Sequence, residues 1–186
     1  MKAWSILQRH YDPSSELFER LVIHSVLVAR KAREIAERCF EREPGAAIDL
    51  DFLVEAALLH DIGIKGCNAP EILCTGTEPY IRHGVLGRKI LEDEGLPRHA
   101  LVCERHTGAG ITMEEVVLQN LPIPPRDYLP ISIEEKIICV ADKFFSKDRD
   151  KIWKEKSSRK IEKSLGKYGP AVLDRWGKLR REVLGD

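Results

Sequence analysis

The sequence predicts an all-α protein. Its apolar residues recur at the three- and four-residue spacing of a helix over most of the chain, and the segments with this pattern begin at capping residues and end near glycine or proline. No segment shows the strict alternation of apolar and polar residues that a half-buried strand requires. We therefore expect a helical bundle.

The first half of the chain contains two predicted helices. Asp12 and Pro13 have the form of an N-cap and a first helical residue, and we expect the helix to run to about Arg42, where a Pro-Gly pair follows. A second helix is predicted at 51–59, which is rich in leucine and alanine. The stretch from there to Tyr80 contains several glycines and prolines and is expected to be a loop.

Shorter predicted helices follow in the second half. Gly95 is expected to end one of them, because glycine readily adopts the left-handed conformation after a helix. Thr112 with Glu115, and Ser132 with Glu135, have the form of capping boxes that open two more. The other expected helices cover residues 81–94, 97–105, 158–167 and 170–184. The proline-rich stretch between these two boxes predicts an irregular loop.

Charge and composition exclude several classes of protein. Lys and Arg total 30 and Asp and Glu total 30, so no excess positive charge favours nucleic acid or an anionic membrane. The basic stretch 143–181 is interpreted as solvated helix faces. Five cysteines without a Cys-x-x-Cys spacing indicate reduced thiols. Since no signal peptide or apolar run of about 20 residues is present, we expect a cytoplasmic protein that binds neither nucleic acid nor membrane.

Six polar side chains lie on or beside apolar helix faces, where an uncompensated imidazole or carboxylate is costly. They are His24, His60, Asp61, His83, His106 and Asp142. A helical bundle can direct such groups to one point, where divalent cations would satisfy the imidazole nitrogens and carboxylate oxygens. This set suits Fe, Mn, Co, Ni or Zn ions and does not choose among them.

Each of these residues also has a simpler interpretation. A histidine such as His24 on an apolar face is more often a hydrogen-bonded core residue, and Asp142 by itself would pair equally well with the neighbouring Lys143. The set as a whole favours metal binding, because satisfying six such groups separately in one small domain is improbable. His10 and His99 lie in polar or loop-like surroundings, and we expect both at the surface.

Part of this set resembles the H…HD…D signature of HD-domain metal-dependent phosphohydrolases. The matching elements are His24, the run LLHDIG at 58–63 and Asp142 within VAD. The HDIG run is the form that names a subset of that family. The resemblance extends from about residue 21 to residue 147. It implies an all-α HD domain at 12–150 with a dimetal-type site at its centre, and a C-terminal helical extension at 151–186 packed on it.

Two further histidine motifs refine the resemblance. HGVLG, which begins at His83, and RHTG, which contains His106, look like the extra motifs of HD proteins that bind two metals, and are nearest to those of symmetrical diadenosine tetraphosphate hydrolases. The resemblance implies one metal held by four of the six residues, namely His24, His60, Asp61 and Asp142. It implies a second metal held by His83 and His106, with Asp61 bridging.

The extra histidine motifs also appear in HD-GYP cyclic-dinucleotide phosphodiesterases, and the sequence departs from both of these groups at one point. A lysine usually stands three residues after the HD aspartate, whereas here Ile64 occupies that position and Lys65 follows it. The chain also has no GYP motif, which argues against cleavage of cyclic dinucleotides. The substrate is therefore not determined by the resemblance.

The expected reaction is hydrolysis of a phosphate ester or phosphoanhydride in a small phosphorylated substrate such as a nucleotide, with metal-activated water as the nucleophile. Asp61 is expected to orient that water, and Lys65 and Arg105 are the other catalytic candidates. The substrate-binding candidates are Arg82, Thr107 and Lys143. Two alternatives stay open: a di-iron oxygenase that uses the same histidines and aspartates, and a metal- and nucleotide-binding sensor that does not catalyse.

Overall fold

Residues 2–185 are described by a computed structural model, and nine α-helices account for most of that range. The helices are α1 (Lys2–His10), α2 (Glu16–Arg42), α3 (Leu50–Leu59), α4 (His83–Asp93), α5 (Pro97–Arg105), α6 (Met113–Leu118), α7 (Ile133–Lys143), α8 (Ser158–Leu165) and α9 (Pro170–Leu184). A single short antiparallel pair, β1 (Asn68–Ala69) with β2 (Cys74–Thr75), is the sheet found in these residues. The all-α prediction is confirmed. Within the same range, no helix combines the length and the apolar character needed to span a bilayer.

The longest helix, α2, organises the core by contacting α3, α7 and α9. Its buried side chains include Leu21, Val28, Ala32 and Ile35, which recur at helical spacing and form one face. Burying a leucine, valine or isoleucine side chain contributes about 1.5–3 kcal/mol each. A second pair, α4 and α5, packs together, and α5 in turn contacts α3 and α7. The helix positions and helix ends that carry the six polar residues are thereby brought to one region.

The N-terminal boundary differs from the prediction. α1 precedes the first expected helix and packs on α3 through its apolar face. α2 begins later than Asp12 because Ser15 is its N-cap, with the Ser15 hydroxyl accepting a hydrogen bond from the amide of Phe18 at 3.1 Å. The Asp12 carboxylate instead accepts hydrogen bonds from the amide and hydroxyl of Ser14. Asp12 therefore stabilises the turn between α1 and α2 rather than starting α2.

The connection between α3 and α4 is more regular than a glycine- and proline-rich loop suggests. It contains three short 3₁₀ helices (Ile64–Gly66, Pro70–Ile72 and Tyr80–Arg82) and the β1–β2 pair. Such short elements satisfy backbone amides and carbonyls that a loop passing through a protein would otherwise bury without partners. The segment thus holds the start of α4 in a defined position against the end of α3.

Most other helix boundaries agree with the predictions. Gly95 follows α4 with φ of 74°, as expected of a residue after a helix end. The Thr112–Glu115 capping box is formed, with both reciprocal hydrogen bonds. Ser132 caps α7, but the Glu135 carboxylate accepts from the amide of Ile131 rather than from that of Ser132.

The two histidines outside the set of six have different positions. His10 is partly exposed, and its Nε2 lies 2.8 Å from Glu94. The expectation that His99 lies at the surface is wrong, because α5 packs on α3. His99 is buried there, with its ring edge-on to Phe52 at 4.9 Å and its Nε2 3.4 Å from Glu55.

The C-terminal helices pack on the rest of the bundle. α9 contacts α2, α7 and α8, and its Trp176 and Val183 belong to the main hydrophobic core. The short 3₁₀ turn Gly166–Tyr168 continues α8 to about the predicted end. The division of the chain at residue 150 stays a prediction.

Candidate metal centre

The six polar residues occupy helix positions that point into one buried region. His24 lies within α2, the adjacent His60 and Asp61 follow the last residue of α3, His83 opens α4, His106 follows α5, and Asp142 lies in the last turn of α7. All six are buried, and the most exposed retains 8% of its surface. A cluster of this kind requires compensation, because isolated buried imidazoles and carboxylates are strongly disfavoured.

Four of these residues form the first donor set. Nε2 of His24 lies 3.2 Å from Oδ2 of Asp61 and 3.0 Å from Oδ1 of Asp142. Nε2 of His60 lies 3.0 Å and 3.5 Å from the same two oxygens. One donor atom from each residue therefore lies within 4.8 Å of all the others. This arrangement is compatible with one divalent ion bound by two nitrogens and two oxygens.

A second donor set shares Asp61. Its other oxygen, Oδ1, lies 3.7 Å from Nε2 of His83 and 3.5 Å from Nε2 of His106. The two imidazole nitrogens are 3.1 Å apart. Asp61 thus directs one carboxylate oxygen to each set. A carboxylate in this position can bridge two divalent ions, as the resemblance implied for Asp61.

Backbone carbonyls orient three of the four histidines. Nδ1 of His60, His83 and His106 lies 2.7 Å from the carbonyl oxygen of the residue three positions earlier in each case. An Nδ1–H that donates to such a carbonyl leaves the Nε2 lone pair free toward the cluster. This is the tautomer that a metal-binding histidine needs, and a hydrogen bond of this kind commonly supports metal ligands.

The electrostatics of the cluster are strongly coupled. Burial opposes protonation of His60, but the carboxylates of Asp61 and Asp142 outweigh it and raise the pKa of His60 to about 9. Burial and the neighbouring His106 lower the pKa of His83 to about 3. For Asp61, burial alone would raise the pKa, but His60 and Lys147 hold it well below its ordinary value. The ionised carboxylates and the neutral imidazole of His83 are in the protonation states that a divalent cation requires, whereas His60 has to release a proton before it can bind one.

The donor set also fits a metal by its unsatisfied atoms. Within residues 2–185, both oxygens of Asp61 and Nε2 of His60 are buried without a hydrogen bond of suitable geometry, despite their close neighbours. Cation coordination would satisfy these atoms. The donors are nitrogen and oxygen only, so the set suits first-row divalent ions better than ions that prefer thiolate ligands.

Three cationic residues that the sequence assigned to the site have other contacts. The Lys65 ammonium donates to the carbonyl of the last residue of α1 at 2.6 Å. Arg82 pairs with Glu78 at 2.8 Å and Arg105 with Glu135 at 3.1 Å. Arg82 and Arg105 each precede a cluster histidine, and successive helical residues point about 100° apart, so their side chains leave the cluster. The expectation that these three reach the site is wrong.

Two of the predicted substrate-binding residues do lie at the cluster. Thr107 Oγ1 is 3.5 Å from Nε2 of His83. The Lys143 ammonium lies 2.6 Å from Oδ2 of Asp142 and donates to the carbonyl of His106 at 3.3 Å. Both residues face the cavity that reaches the cluster.

Two further residues at the site were not predicted. Lys147 brings its ammonium 2.6 Å from Oδ2 of Asp61, and the ring of Tyr80 stacks on that of His83 with 4.7 Å between centroids. Lys147 lies five positions after Asp142 and beyond the end of α7, so no helical spacing connects it with the set. Tyr80 had one usable signal, its position three residues before His83.

An open cavity of about 750 Å³ connects the cluster with solvent. His83, His106 and Asp142 line it, whereas His24, His60 and Asp61 lie behind them. Both donor sets therefore reach the cavity, the first through Asp142 and the second through His83 and His106.

Comparison with known proteins agrees with this architecture. A family model described as the HD domain matches residues 21–146. An uncharacterized protein of Methanocaldococcus jannaschii is 38% identical over 156 residues, which cover 83% of this chain and 82% of that protein. Two proteins named tRNA (cytidine(56)-2′-O)-methyltransferase, from Picrophilus torridus and Thermoplasma volcanium, are 41% and 38% identical over 102 residues. That match covers 54% of this chain but 26% of each methyltransferase.

No solved structure matches the chain. The family model nevertheless covers more than half of the sequence, and it includes every one of the six converging residues. The chain belongs to the HD domain family.

Proposed function

We propose that this protein is a metal-dependent phosphohydrolase that cleaves a phosphate ester or phosphoanhydride of a nucleotide or dinucleoside polyphosphate. The observation that carries the proposal is the pair of donor sets joined by Asp61 at the inner end of an open cavity. The HD domain is characteristic of metal-dependent phosphohydrolases, which supports the reaction class.

The residues implied as ligands are His24, His60, Asp61 and Asp142 for one ion, and His83, His106 and Asp61 for a second. When bound, the ions would supply Lewis acidity and a lowered pKa for water at the reacting phosphorus. The oriented imidazoles of His60, His83 and His106 hold the geometry, because each is fixed through its Nδ1.

The cationic groups beside the cluster would bind the substrate phosphate. Lys143 and Lys147 place two ammonium groups at the carboxylates of Asp142 and Asp61, on the cavity side. Phosphoryl transfer depends mainly on positioning and on neutralising the charge of the phosphoryl oxygens. Thr107 adds a hydroxyl that can donate to a phosphate oxygen next to His83.

The proposal is tested by metal analysis of the purified protein followed by a substrate screen with Mn²⁺, Fe²⁺, Co²⁺, Ni²⁺ and Zn²⁺. The screen includes nucleoside mono- and triphosphates, diadenosine tetraphosphate and p-nitrophenyl phosphate. It also includes oligoribonucleotides with a terminal phosphate, since two relatives carry the names of tRNA-modifying enzymes. We expect release of phosphate or nucleotide that depends on the divalent ion.

Asp61→Ala is the decisive variant, and Asp174→Ala on the exposed face of α9 is its matched control. Asp61→Ala should lose bound metal and nearly all hydrolysis while its far-ultraviolet circular dichroism stays native. The proposal is contradicted if the purified wild-type protein contains no metal and Asp61→Ala leaves its turnover unchanged. Oxygen consumption by an iron-loaded preparation would point to an oxygenase, and ligand binding without turnover to a sensor.

A further inference from the structure

The outer wall of the cavity is formed by residues that follow α7. Six lysines line the cavity between the end of α7 and the first turns of α8: Lys143, Lys147, Lys151, Lys154, Lys156 and Lys160. The sequence suggested that this basic stretch forms solvated helix faces. Lys151, Lys154 and Lys160 are exposed to solvent, whereas Lys143 and Lys147 turn inward to Asp142 and Asp61. The neutral net charge of the whole chain therefore coexists with a local concentration of positive charge at one opening.

The acidic residues of the same wall do not neutralise Lys154 or Lys160. Glu155 pairs with Lys31 on α2 at 2.8 Å, and Asp148 pairs with Lys151. Within residues 2–185, neither Lys154 nor Lys160 has a carboxylate partner, and both are exposed.

Lys156 lies between these two lysines and is held in place by the backbone. Its amide donates to the carbonyl of Phe144 and its ammonium donates to that of Phe145, both at 2.8 Å. Burial lowers the pKa of Lys156. Lys154, Lys156 and Lys160, together the lysine row, thus bring three ammonium groups to one cavity, which suits a ligand with several anionic groups.

An exposed aromatic side chain lines the same cavity as the lysine row. Tyr168 lies in the 3₁₀ turn after α8, lines the cavity and keeps 67% of its surface exposed. Ile161 and Leu165 form an apolar floor beside it. An exposed tyrosine next to an apolar floor offers a stacking surface for a planar heterocycle, an interaction that is tolerant of base identity.

We propose that residues 147–168 are the specificity element of the site and select a nucleoside polyphosphate. The terminal phosphoryl group would lie at the donor sets, the remaining phosphates along Lys154, Lys156 and Lys160, and the base on Tyr168. The cavity volume of about 750 Å³ lies within the range of small-ligand sites. This inference rests on the proposed phosphohydrolase function. The whole of this segment follows the end of the family match at residue 146, so it lies outside the part of the chain that the HD domain model covers.

The lysine row is tested with Lys154→Gln/Lys160→Gln and a matched control, Lys163→Gln/Lys167→Gln, whose lysines lie on or just after α8 and do not line the cavity. Each charge-assisted contact to a phosphate is worth about tenfold in affinity. We therefore expect kcat/KM for ATP to fall about 10- to 100-fold, mainly through KM, in the cavity variant. Hydrolysis of p-nitrophenyl phosphate, which carries one phosphate, should stay within about twofold of wild type in the cavity variant. The control variant should stay within about twofold of wild type with both substrates.

The stacking role is tested with Tyr168→Ala and Tyr168→Phe. Loss of the stacking contact to one base lowers affinity about fivefold or more. Tyr168→Ala should therefore weaken ATP binding by this factor, whereas Tyr168→Phe should bind ATP as wild type does. Binding of inorganic tripolyphosphate, which has no base, should be the same in both Tyr168 variants as in wild type. The proposal is overturned if Lys154→Gln/Lys160→Gln lowers kcat/KM equally for ATP and for p-nitrophenyl phosphate. It is also overturned if neither this variant nor Tyr168→Ala changes the affinity for ATP.

A failure of the phosphohydrolase function is distinguishable from a failure of this inference. If no phosphate compound is hydrolysed, calorimetric titration of the metal-supplied protein with ATP still measures binding. Binding that weakens in the cavity variants but not in the control supports the specificity element without the reaction. Hydrolysis that proceeds while the variants match wild type overturns the specificity element and leaves the reaction intact, and absence of both binding and hydrolysis overturns both.

Discussion

The ammonium of Lys147 lies 2.6 Å from Oδ2 of Asp61, the carboxylate that both donor sets share. Burial alone would lower the pKa of Lys147, but the carboxylates of Asp61 and Asp142 outweigh it, and this pKa is raised well above its ordinary value. The charged lysine therefore stabilises the ionised form of Asp61. It also competes for the same oxygen with any cation in the first donor set, so its effects on stability and on metal affinity should oppose each other.

Lys147→Met should separate these two effects. Removing one member of a buried ion pair leaves an uncompensated charge, and with two histidines still beside Asp61 we expect a loss of up to about 3 kcal/mol in the metal-free protein. Metal affinity should rise, because a competing cation is gone. Thermal unfolding in EDTA and in excess Mn²⁺ measures both effects.

The control is Lys151→Met, which removes an exposed partner of Asp148. Exposed pairs contribute at most about 1 kcal/mol, so little change is expected there. If Lys147→Met unfolds at the wild-type temperature in EDTA, the pair does not stabilise Asp61 as described.

His83→Ala should distinguish one bound metal from two. His83 belongs only to the second donor set, so its removal should reduce the metal content from about two ions per chain to about one, with the first set intact. Elemental analysis of the dialysed protein gives the stoichiometry. His10→Ala, outside both sets, serves as the control. About one ion per chain in both wild type and His83→Ala would show that the second set binds no ion, and about two in both would show that His83 is not needed to hold the second ion.

Gly63→Ala should disturb the second donor set through packing. A Cβ at Gly63 would lie 2.1 Å from the carbonyl oxygen of His83 and 2.4 Å from the amide nitrogen of Gly87, both backbone atoms of α4. α4 would have to move away from the HDIG turn, and overpacking of this kind costs about 1–3 kcal/mol or more. His83 would move with α4, so the ion of the second set should be lost first.

Gly45→Ala is the matched control for this substitution. A Cβ at Gly45 would have nothing within 4 Å, and its φ is not positive. Its stability should be unchanged or slightly increased, by up to about 1 kcal/mol. Urea unfolding and metal analysis of both variants decide the matter, and equal stability of the two variants would contradict the packing argument.

Alkaline solution should destabilise the protein between about pH 9 and pH 11. Burial raises the pKa of the thiols of Cys67, Cys74 and Cys139 from an ordinary value of 9.0 to about 11. A raised pKa means that the folded state retains the proton more strongly. The resulting stability is fully present below pH 9 and is lost as the pH rises through 11.

Urea unfolding at pH 8.0 and pH 10.5 measures this loss. Cys139 is fully buried, and its share is up to about 2–3 kcal/mol. Cys139→Ala should accordingly show a smaller decrease between the two pH values than wild type. A free energy of unfolding that is the same at both pH values would contradict the expectation.

The helices and the donor residues were accessible from the sequence for local reasons. Each of these signals depends only on residues that are close in the sequence. This holds for helical periodicity, for the Thr112–Glu115 capping box and for Gly95 after α4. The start of α2 was missed because Asp12 and Ser15 are both residue types that cap helices, and in the structure it is Ser15 that accepts the hydrogen bond from Phe18.

The sequence alone determined that six imidazole and carboxylate groups lie on or beside apolar helix faces, because helical periodicity depends on neighbouring residues. Such groups are costly to bury unless they meet compensating charge, and the structure buries all six. Their role as metal ligands stays a prediction. Only the tertiary structure decided which cations face them. Lys65 was chosen for its proximity in sequence, yet it reaches α1, whereas Lys147 reaches Asp61 from beyond the end of α7. The direction of a long side chain depends on how distant elements pack, and sequence spacing carries no record of that.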